Sequence, residues 1–454
     1  MTERKLFGTD GIRGKANIYP MVPEIATALG RAVTFYFQKK NKNKKTPLII
    51  VGKDTRLSCY MIEQAFSAGV LSQGGRVIFT GPLPTPGVAF VTTSMRADAG
   101  VMISASHNDY DDNGIKLFDA HGFKLPDEVE LELEELVLNP KLIPPKVGAE
   151  IGRAKRLEGV EGRYVVHVKS AIDEECDLSG MRVVVDCANG ASYKVAPLVM
   201  SELGAEVFPL GVNPNGQNIN LNCGSLHPTL ASQEVVKLRA DMGFCLDGDA
   251  DRIQVIDKDG GLIKGDKLIG IFAKLLLEQG KLKKGDTVVG TIMSNLGLEN
   301  YLKKLGLKFH RTAVGDRYIM EYMRSENALL GGEPSGHIIF LEHATTGDGT
   351  LAALKSIEAT YFFKKSINEL SQEVELYPQV LKNVSVSQKK KVEEMPAFAA
   401  ELKACEEELG EEGRVIFRYS GTEPLARVMV EGRCEDKINA VCDRLVSALK
   451  KEIA

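Results

Sequence analysis

Asp247, Asp249 and Asp251 alternate along the run Asp247-Gly248-Asp249-Ala250-Asp251. In an extended loop alternate side chains point the same way, so these three carboxylates would converge. Carboxylates held that close repel one another unless protons or a cation neutralise them, and hard oxygen ligands favour Mg²⁺ or Ca²⁺. An EF-hand is excluded, because the sixth loop position is Arg252 where glycine is needed and the twelfth is Lys258 where glutamate is needed. A solvated acidic turn is the plainer alternative. Against it stand the apolar run Met242 to Leu246 before the aspartates and Arg252 after them.

The approach to this loop has a near copy earlier in the chain. Arg96-Ala97-Asp98-Ala99-Gly100-Val101-Met102-Ile103 leads into Ser104-Ala105-Ser106-His107-Asn108, as Arg239-Ala240-Asp241-Met242-Gly243-Phe244-Cys245-Leu246 leads into the aspartates. One structural position thus delivers a possible serine nucleophile in one copy and three carboxylates in the other, a pairing that suits phosphate chemistry on a repeated scaffold. His107 beside Ser106 invites a nucleophile-base reading. Neighbouring side chains in an extended segment point to opposite sides, however, so His107 is not expected to be the direct base. The lack of a GxSxG elbow argues against an acyl-transfer hydrolase.

Three more segments carry groups that bind polar ligands. Arg418-Tyr419-Ser420-Gly421-Thr422-Glu423 offers hydroxyls and backbone N–H groups, and Arg418 and Arg427 add bidentate charge. Phe7 to Gly14, FGTDGIRG, sets three glycines around Arg13, so backbone can approach a ligand closely. A tight turn with a solvated arginine would explain either loop alone. Gly332-Glu333-Pro334-Ser335-Gly336-His337 adds a carboxylate, a hydroxyl and an imidazole suited to sugar hydroxyls.

The elements that must position these loops form a series. Leu48 to Val51, Val183 to Val185 and Val288 to Ile292 are short β-branched runs, each followed by a helix-length segment and a second strand beginning near Arg76, Ala205 and Leu307. A third strand then opens into a loop, at Val101 to Ser106, Phe244 to Asp249 and Ala328 to Ser335. The pattern predicts three βαβ-type units, with ligands gathering at the C-terminal ends of the strands. Lys258-Asp259-Gly260-Gly261 marks a hairpin, expected near the start of the third unit. After about residue 370 come a helix from Pro396 to Leu409, a strand-loop-strand run from Arg414 to Gly432 and a helix with Ile438, Val441, Leu445 and Leu449 on one face, which together predict a smaller α+β unit.

Length and composition agree. At 454 residues, 44% hydrophobic and 26% charged, the chain is long enough for three or four soluble domains, and a net charge of −4 gives no electrostatic case for nucleic acid or an anionic membrane. The basic run Lys39 to Lys45 reads as a solvated loop, and the eight cysteines show no metal-like spacing. With no signal-like N-terminus and no apolar stretch of transmembrane length, a cytoplasmic protein is expected.

Together these segments resemble the α-D-phosphohexomutase superfamily over essentially the whole chain, nearest to its bacterial phosphoglucosamine mutase branch. The resemblance rests on FGTDGIRG (Phe7 to Gly14), SASHNDYDDNGIK (Ser104 to Lys116), DGDADR (Asp247 to Arg252), GGEPSGH (Gly331 to His337) and RYSGTEPLARVMVEG (Arg418 to Gly432). GKDTR (Gly52 to Arg56), NINLNCGSLH (Asn218 to His227) and VGDRY (Val314 to Tyr318) support it. It implies an α/β molecule of three similar mixed domains and a smaller C-terminal α+β domain, heart-shaped around a central cleft. The expected divisions are 1–158 for the phosphoserine, 159–258 for the metal, 259–370 for the sugar and 371–454 for the distal phosphate.

By the same resemblance Ser106 carries a phosphoryl group, with Asp247, Asp249 and Asp251 holding one Mg²⁺ against it and Ser104 as a neighbour. Arg13 and Lys116 lie near the transferring phosphate, Lys116 as candidate general acid/base, with His107 and Arg252 in support. Glu333, Ser335 and His337 face the sugar, and Arg418, Ser420, Gly421, Thr422 and Arg427 grip the unreacting phosphate. The implied reaction interconverts glucosamine 6-phosphate and glucosamine 1-phosphate, primed by glucosamine 1,6-bisphosphate or glucose 1,6-bisphosphate, in a monomer or homodimer. A phosphoglucomutase/phosphomannomutase of broad hexose specificity and a non-catalytic sugar-phosphate regulator are the alternatives. Two residues depart from the pattern: Asp109 stands where the family usually has proline, and Pro334 where this branch usually has glutamine.

Overall fold

The computed structural model describes residues 4–8, 10–40, 46–419 and 425–453. Ser420, Gly421 and Thr422, expected in the phosphate loop, lie outside them. The three predicted units are present, each with the same strand order. In the first, Leu48–Lys53 lies between Arg76–Pro82 and Ala99–Ile103, all parallel, and Asp112–Asp119 returns antiparallel beside Ala99–Ile103. In the second, Arg182–Asp186 lies between Glu206–Leu210 and Met242–Leu246, with Ile253–Asp257 returning. In the third, Thr287–Thr291 lies between Lys308–Thr312 and Leu330–Gly332, with Ile338–Phe340 returning.

Sequence patterning explains the arrangement. Every residue of Leu48–Lys53, Ala99–Ile103 and Met242–Leu246 is buried, as expected for strands with helices on both faces, which read as continuous apolar runs. The fourth, returning strand was not anticipated in the first and third units, and in the second Ile253–Asp257 was read only as an arm of the hairpin at Lys258 to Gly261. It matters most, because the hairpin connection it creates is where the chemistry-bearing residues sit. The turn at Lys258 to Gly261 is likewise corrected: Leu262–Ile263 pairs with Ile253–Asp257, so the hairpin belongs to the second sheet. The Asp257 carboxylate closes that turn by accepting from Asp259 N and Gly261 N.

One hydrophobic core runs continuously through the three units, from Ile50, Val88 and Phe118 through Tyr164 and Phe244 to Phe272 and Leu354. The C-terminal sheet, ordered Gln379–Ser385, Leu425–Gly432, Gly413–Tyr419, has its own core around Phe398, Val428 and Leu445. Its last helix, Glu435–Ile453, buries the predicted stripe of Ile438, Val441, Leu445 and Leu449, each contributing about 1.5–3 kcal/mol by burial. Glu435 and Asp436 in the first turn and Lys450 and Lys451 in the last match the helix dipole. No described helix is long and apolar enough to cross a membrane.

Candidate active site

Three equivalent hairpin connections meet at one place. The first, between Ala99–Ile103 and Asp112–Asp119, carries Ser106; the second, between Met242–Leu246 and Ile253–Asp257, carries Asp247 to Arg252; the third, between Leu330–Gly332 and Ile338–Phe340, carries Glu333 to His337. Ser106 Oγ donates to Asp247 Oδ2 at 2.5 Å, with both residues almost fully buried. Such a close approach of two backbones needs Gly248, where a Cβ would stand 2.4 Å from Ser106 O.

Neither loop is extended, which corrects two expectations. Ala250 has φ +57°, so the aspartates converge around a tight turn; one oxygen from each carboxylate lies within 4.8 Å of the others. Ser106 has φ +53°, which turns its side chain back and brings Oγ to 3.3 Å from His107 Nδ1, the contact that an extended segment would forbid. His107 is still a poor base for Ser106. Burial, then the charges of Arg252 and Arg13, push its pKa down to about 4, and its Nδ1 lone pair already accepts from Arg252 Nη1 at 2.5 Å.

The carboxylate cluster suits a hard divalent cation. Asp249 Oδ1 and Asp251 Oδ1 are buried without a hydrogen-bond partner, and burial followed by the charges of Asp251 and Asp249 raises the Asp247 pKa well above the carboxylate range. A cation bound there would relieve both. Thr85, from the first unit, fixes Asp249 by donating Oγ1 to Oδ2 at 2.6 Å and its amide to the carbonyl at 2.9 Å.

Lys116 is brought to the cluster by the return strand Asp112–Asp119. Its ammonium, 1% exposed, lies 2.8 Å from Asp249 Oδ2 and 3.3 Å from both Asp251 Oδ2 and Asp10 Oδ2. Burial opposes its charge, but these three carboxylates outweigh burial and raise its pKa. Strand Ile12–Lys15 pairs with the same return strand, Arg13 opposite Gly114, because Gly11 takes φ +76° and leaves room where a Cβ would meet Ile115 O at 2.2 Å. Arg13 bonds Asp10, which also receives Lys124, and Lys124 reaches Asp316 at 2.5 Å.

A cleft of about 490 Å³ opens over this floor, lined among others by Lys5, Asp10, Arg13, Asp251, Arg252, Asp316, Glu333 and His337. Glu333 accepts from Gly315 N at 3.3 Å, and Ser335 Oγ lies 3.4 Å from Glu333 Oε2. His337, which also borders the cleft, accepts from Gly347 N at Nε2 at 3.0 Å and places Nδ1 3.8 Å from Asp251 Oδ1.

Ser106, His107, Lys116, Arg13, Arg252, Glu333, Ser335, His337 and the three aspartates are therefore gathered from three units. Arg418 and Arg427 are not among the described residues lining the cleft. They are paired opposite each other on the strands Gly413–Tyr419 and Leu425–Gly432. Sequence reasoning missed Asp10, Thr85, Lys124 and Asp316. Asp10 and Asp316 lay inside motifs that had been noted for other residues, whereas Thr85 and Lys124 carried no motif signal.

Models of all four domains of the phosphoglucomutase/phosphomannomutase family match in order: α/β/α domain I at residues 4–142, domain II at 162–261, domain III at 264–377 and the C-terminal domain at 381–448. The chain belongs to this family. Among its relatives are proteins named phosphoglucosamine mutase from Desulfotalea psychrophila, 51% identical over 449 residues, and Pelobacter propionicus, 51% identical over 451, each alignment covering 99% of both chains. Solved structures share the fold at low identity. A phosphoglucomutase/phosphomannomutase family protein from Burkholderia thailandensis has a TM-score of 0.82 at 22% identity, covering 98% of this chain and 97% of that one. An Aspergillus fumigatus N-acetylphosphoglucosamine mutase, solved with GlcNAc-6P and magnesium, has a TM-score of 0.68 at 18% identity, covering 100% and 96%.

Proposed function

We propose that this chain is a phosphoglucosamine mutase that interconverts glucosamine 6-phosphate and glucosamine 1-phosphate through phosphorylated Ser106 and a bisphosphorylated sugar. One observation carries the reading: the Ser106 hydroxyl of one unit lies 2.5 Å from a carboxylate of a three-aspartate cluster in the next, beneath a cleft walled by Arg13, Arg252 and Glu333. The amino-sugar preference is supported by relatives about half identical over their full length.

In the first half-reaction the bond from phosphorus to Ser106 Oγ breaks as one forms to a sugar oxygen, and the proton shed by the sugar hydroxyl ends on Ser106 Oγ, where Asp247 accepts its hydrogen bond; in the second the other phosphoryl group of the bisphosphate leaves its sugar oxygen for Ser106 Oγ, and the serine proton passes to that sugar oxygen. Lys116 Nζ, held protonated by the three carboxylates around it, and Arg13 offset the charge of the phosphoryl group in flight, with Lys116 the candidate acid. Asp247, Asp249, Asp251 and Ser106 would hold Mg²⁺, which when bound supplies further neutralisation of phosphoryl oxygens. Glu333 and Ser335 orient the sugar, and Arg418 and Arg427 with Ser420, Gly421 and Thr422 bind the phosphate that does not react, so that either end of the sugar presents to Ser106. A cytoplasmic location and priming by glucosamine 1,6-bisphosphate or glucose 1,6-bisphosphate belong to the same reading.

Turnover of glucosamine 6-phosphate, glucose 6-phosphate and mannose 6-phosphate, each with Mg²⁺ and a bisphosphate primer, tests it. Glucosamine 6-phosphate is expected to be converted fastest. Faster conversion of glucose 6-phosphate would replace the reading by a broad hexose mutase, and no conversion of any would leave a binding protein.

A further inference from the structure

The motif Gly52 to Arg56 supports the family resemblance, yet none of its residues enters the reaction above. Its Asp54 and Arg56 are nevertheless buried beneath the serine loop, 1% and 0% exposed. Asp54 Oδ2 accepts from Arg56 Nε at 2.8 Å and from Ser104 Oγ at 2.6 Å, and Ser104 Oγ in turn accepts the amide of Ser106 at 2.9 Å. From the other side, Arg56 Nη2 donates to the carbonyl of Ser106 at 2.9 Å. The result is a closed ring in which one ion pair reaches both backbone polar groups of Ser106, the amide through Ser104 and the carbonyl directly, where Asn220 Nδ2 also donates at 2.9 Å.

The same guanidinium collects the carbonyls of Asn108 at 2.8 Å, Asp112 at 3.1 Å and Asp109. The turn carrying the pair is itself anchored on the second unit, where Thr55 Oγ1 donates to Asn189 O at 2.5 Å and Leu57 N to Gly216 O at 2.9 Å. Ser106 sits at φ +53°, a region that non-glycine residues seldom occupy unless their surroundings over-determine it. That conformation is what turns Oγ toward Asp247.

We propose that Asp54 and Arg56 are positioning residues that hold Ser106 in its left-handed conformation, through Ser104 and directly, and so aim its hydroxyl at the aspartate cluster. The inference rests on Ser106 being the phosphoryl acceptor. A second consequence concerns Asp109, whose own side chain is exposed: with its carbonyl gripped by Arg56, the serine loop is fixed without the proline usual there.

The test uses the full chain with Ser104→Ala, which breaks the ring without unpairing a buried charge, and with Arg56→Lys. Both receive isotopically labelled glucose 1,6-bisphosphate, and label on Ser106 is followed per folded molecule, with folded fraction measured by circular dichroism. Labelling is expected to slow at least tenfold in each variant while the dissociation constant for the sugar monophosphate stays within about twofold, and Ser104→Thr, which restores the hydroxyl, is expected to recover the rate. A purely structural role would lower the folded fraction and leave the rate per folded molecule at the wild-type value, which would overturn the proposal. A crystal structure of Ser104→Ala reads the same inference apart from catalysis. Ser106 is expected to leave the left-handed region; an unchanged φ with Oγ still on Asp247 would contradict the proposal whether or not the wild type takes up label.

Discussion

Thr85 reaches Asp249 from a different unit of the chain, and its hydroxyl is the sort of outer partner that fixes a metal-binding carboxylate. Replacing it by valine keeps the shape and removes the donor. Thr85→Val is therefore expected to weaken Mg²⁺ or Mn²⁺ binding about 10- to 100-fold, by analogy with other outer-shell partners, and calorimetric titration of the metal checks this. An unchanged affinity would show that Thr85 ties the first unit to the second without tuning the metal site. At this scale the sequence was legible where chemistry needs several residues close together in the chain. The spacing of Asp247, Asp249 and Asp251 and the serine of the parallel loop announced themselves, but Thr85 and Lys124 reach the site through folding alone. The backbone at Ser106 and Ala250 was not legible either, because a positive φ at a residue other than glycine leaves no mark in its identity.

Among the elements, the hairpin connection between third and returning strand assembles the candidate site, since in each of three units that loop carries a different set of polar side chains. Two such loops can meet only if backbone packs on backbone. Gly248→Ala is expected to reduce turnover at least a hundredfold with the fold retained, because its Cβ would stand 2.4 Å from Ser106 O. Gly162 supplies the comparison. It lies in the helix Val160–Lys169 with open space around it, so Gly162→Ala is expected to stabilise by about 0.5–1 kcal/mol with activity intact, read by thermal melting and turnover. The βαβ runs were readable because buried parallel strands are continuous apolar stretches. Two of the returning strands were not: Ile338–Phe340 is three residues long, and Asp112–Asp119 opens with Asp-Asn-Gly, which reads as a turn.

In the whole molecule, three units share a core while the fourth keeps its own, so the docking of the fourth on the third is the joint most exposed to conditions. Two consecutive amides at that joint are held by carboxylates from either side, Asn295 N by Asp266 at 3.0 Å and Leu296 N by Glu431 at 2.6 Å. Burial is the main reason that the Asp266 pKa is pushed up to about 7, with Glu431 adding to it. The unfolded chain releases this proton near pH 4 and the folded one near 7, so stability falls as pH rises between those values, by about 4 kcal/mol at most, and is level above. Asp266→Asn is expected to remove that slope in denaturant unfolding followed from pH 4 to 8; a slope equal to the wild type's would show that other groups set it. The central claim concerns the assembled site, and Ser106→Ala tests it most directly. Turnover of glucosamine 6-phosphate is expected to fall at least a thousandfold while the sugar phosphate still binds, and turnover near the wild-type rate in that variant would contradict a phosphoserine mechanism.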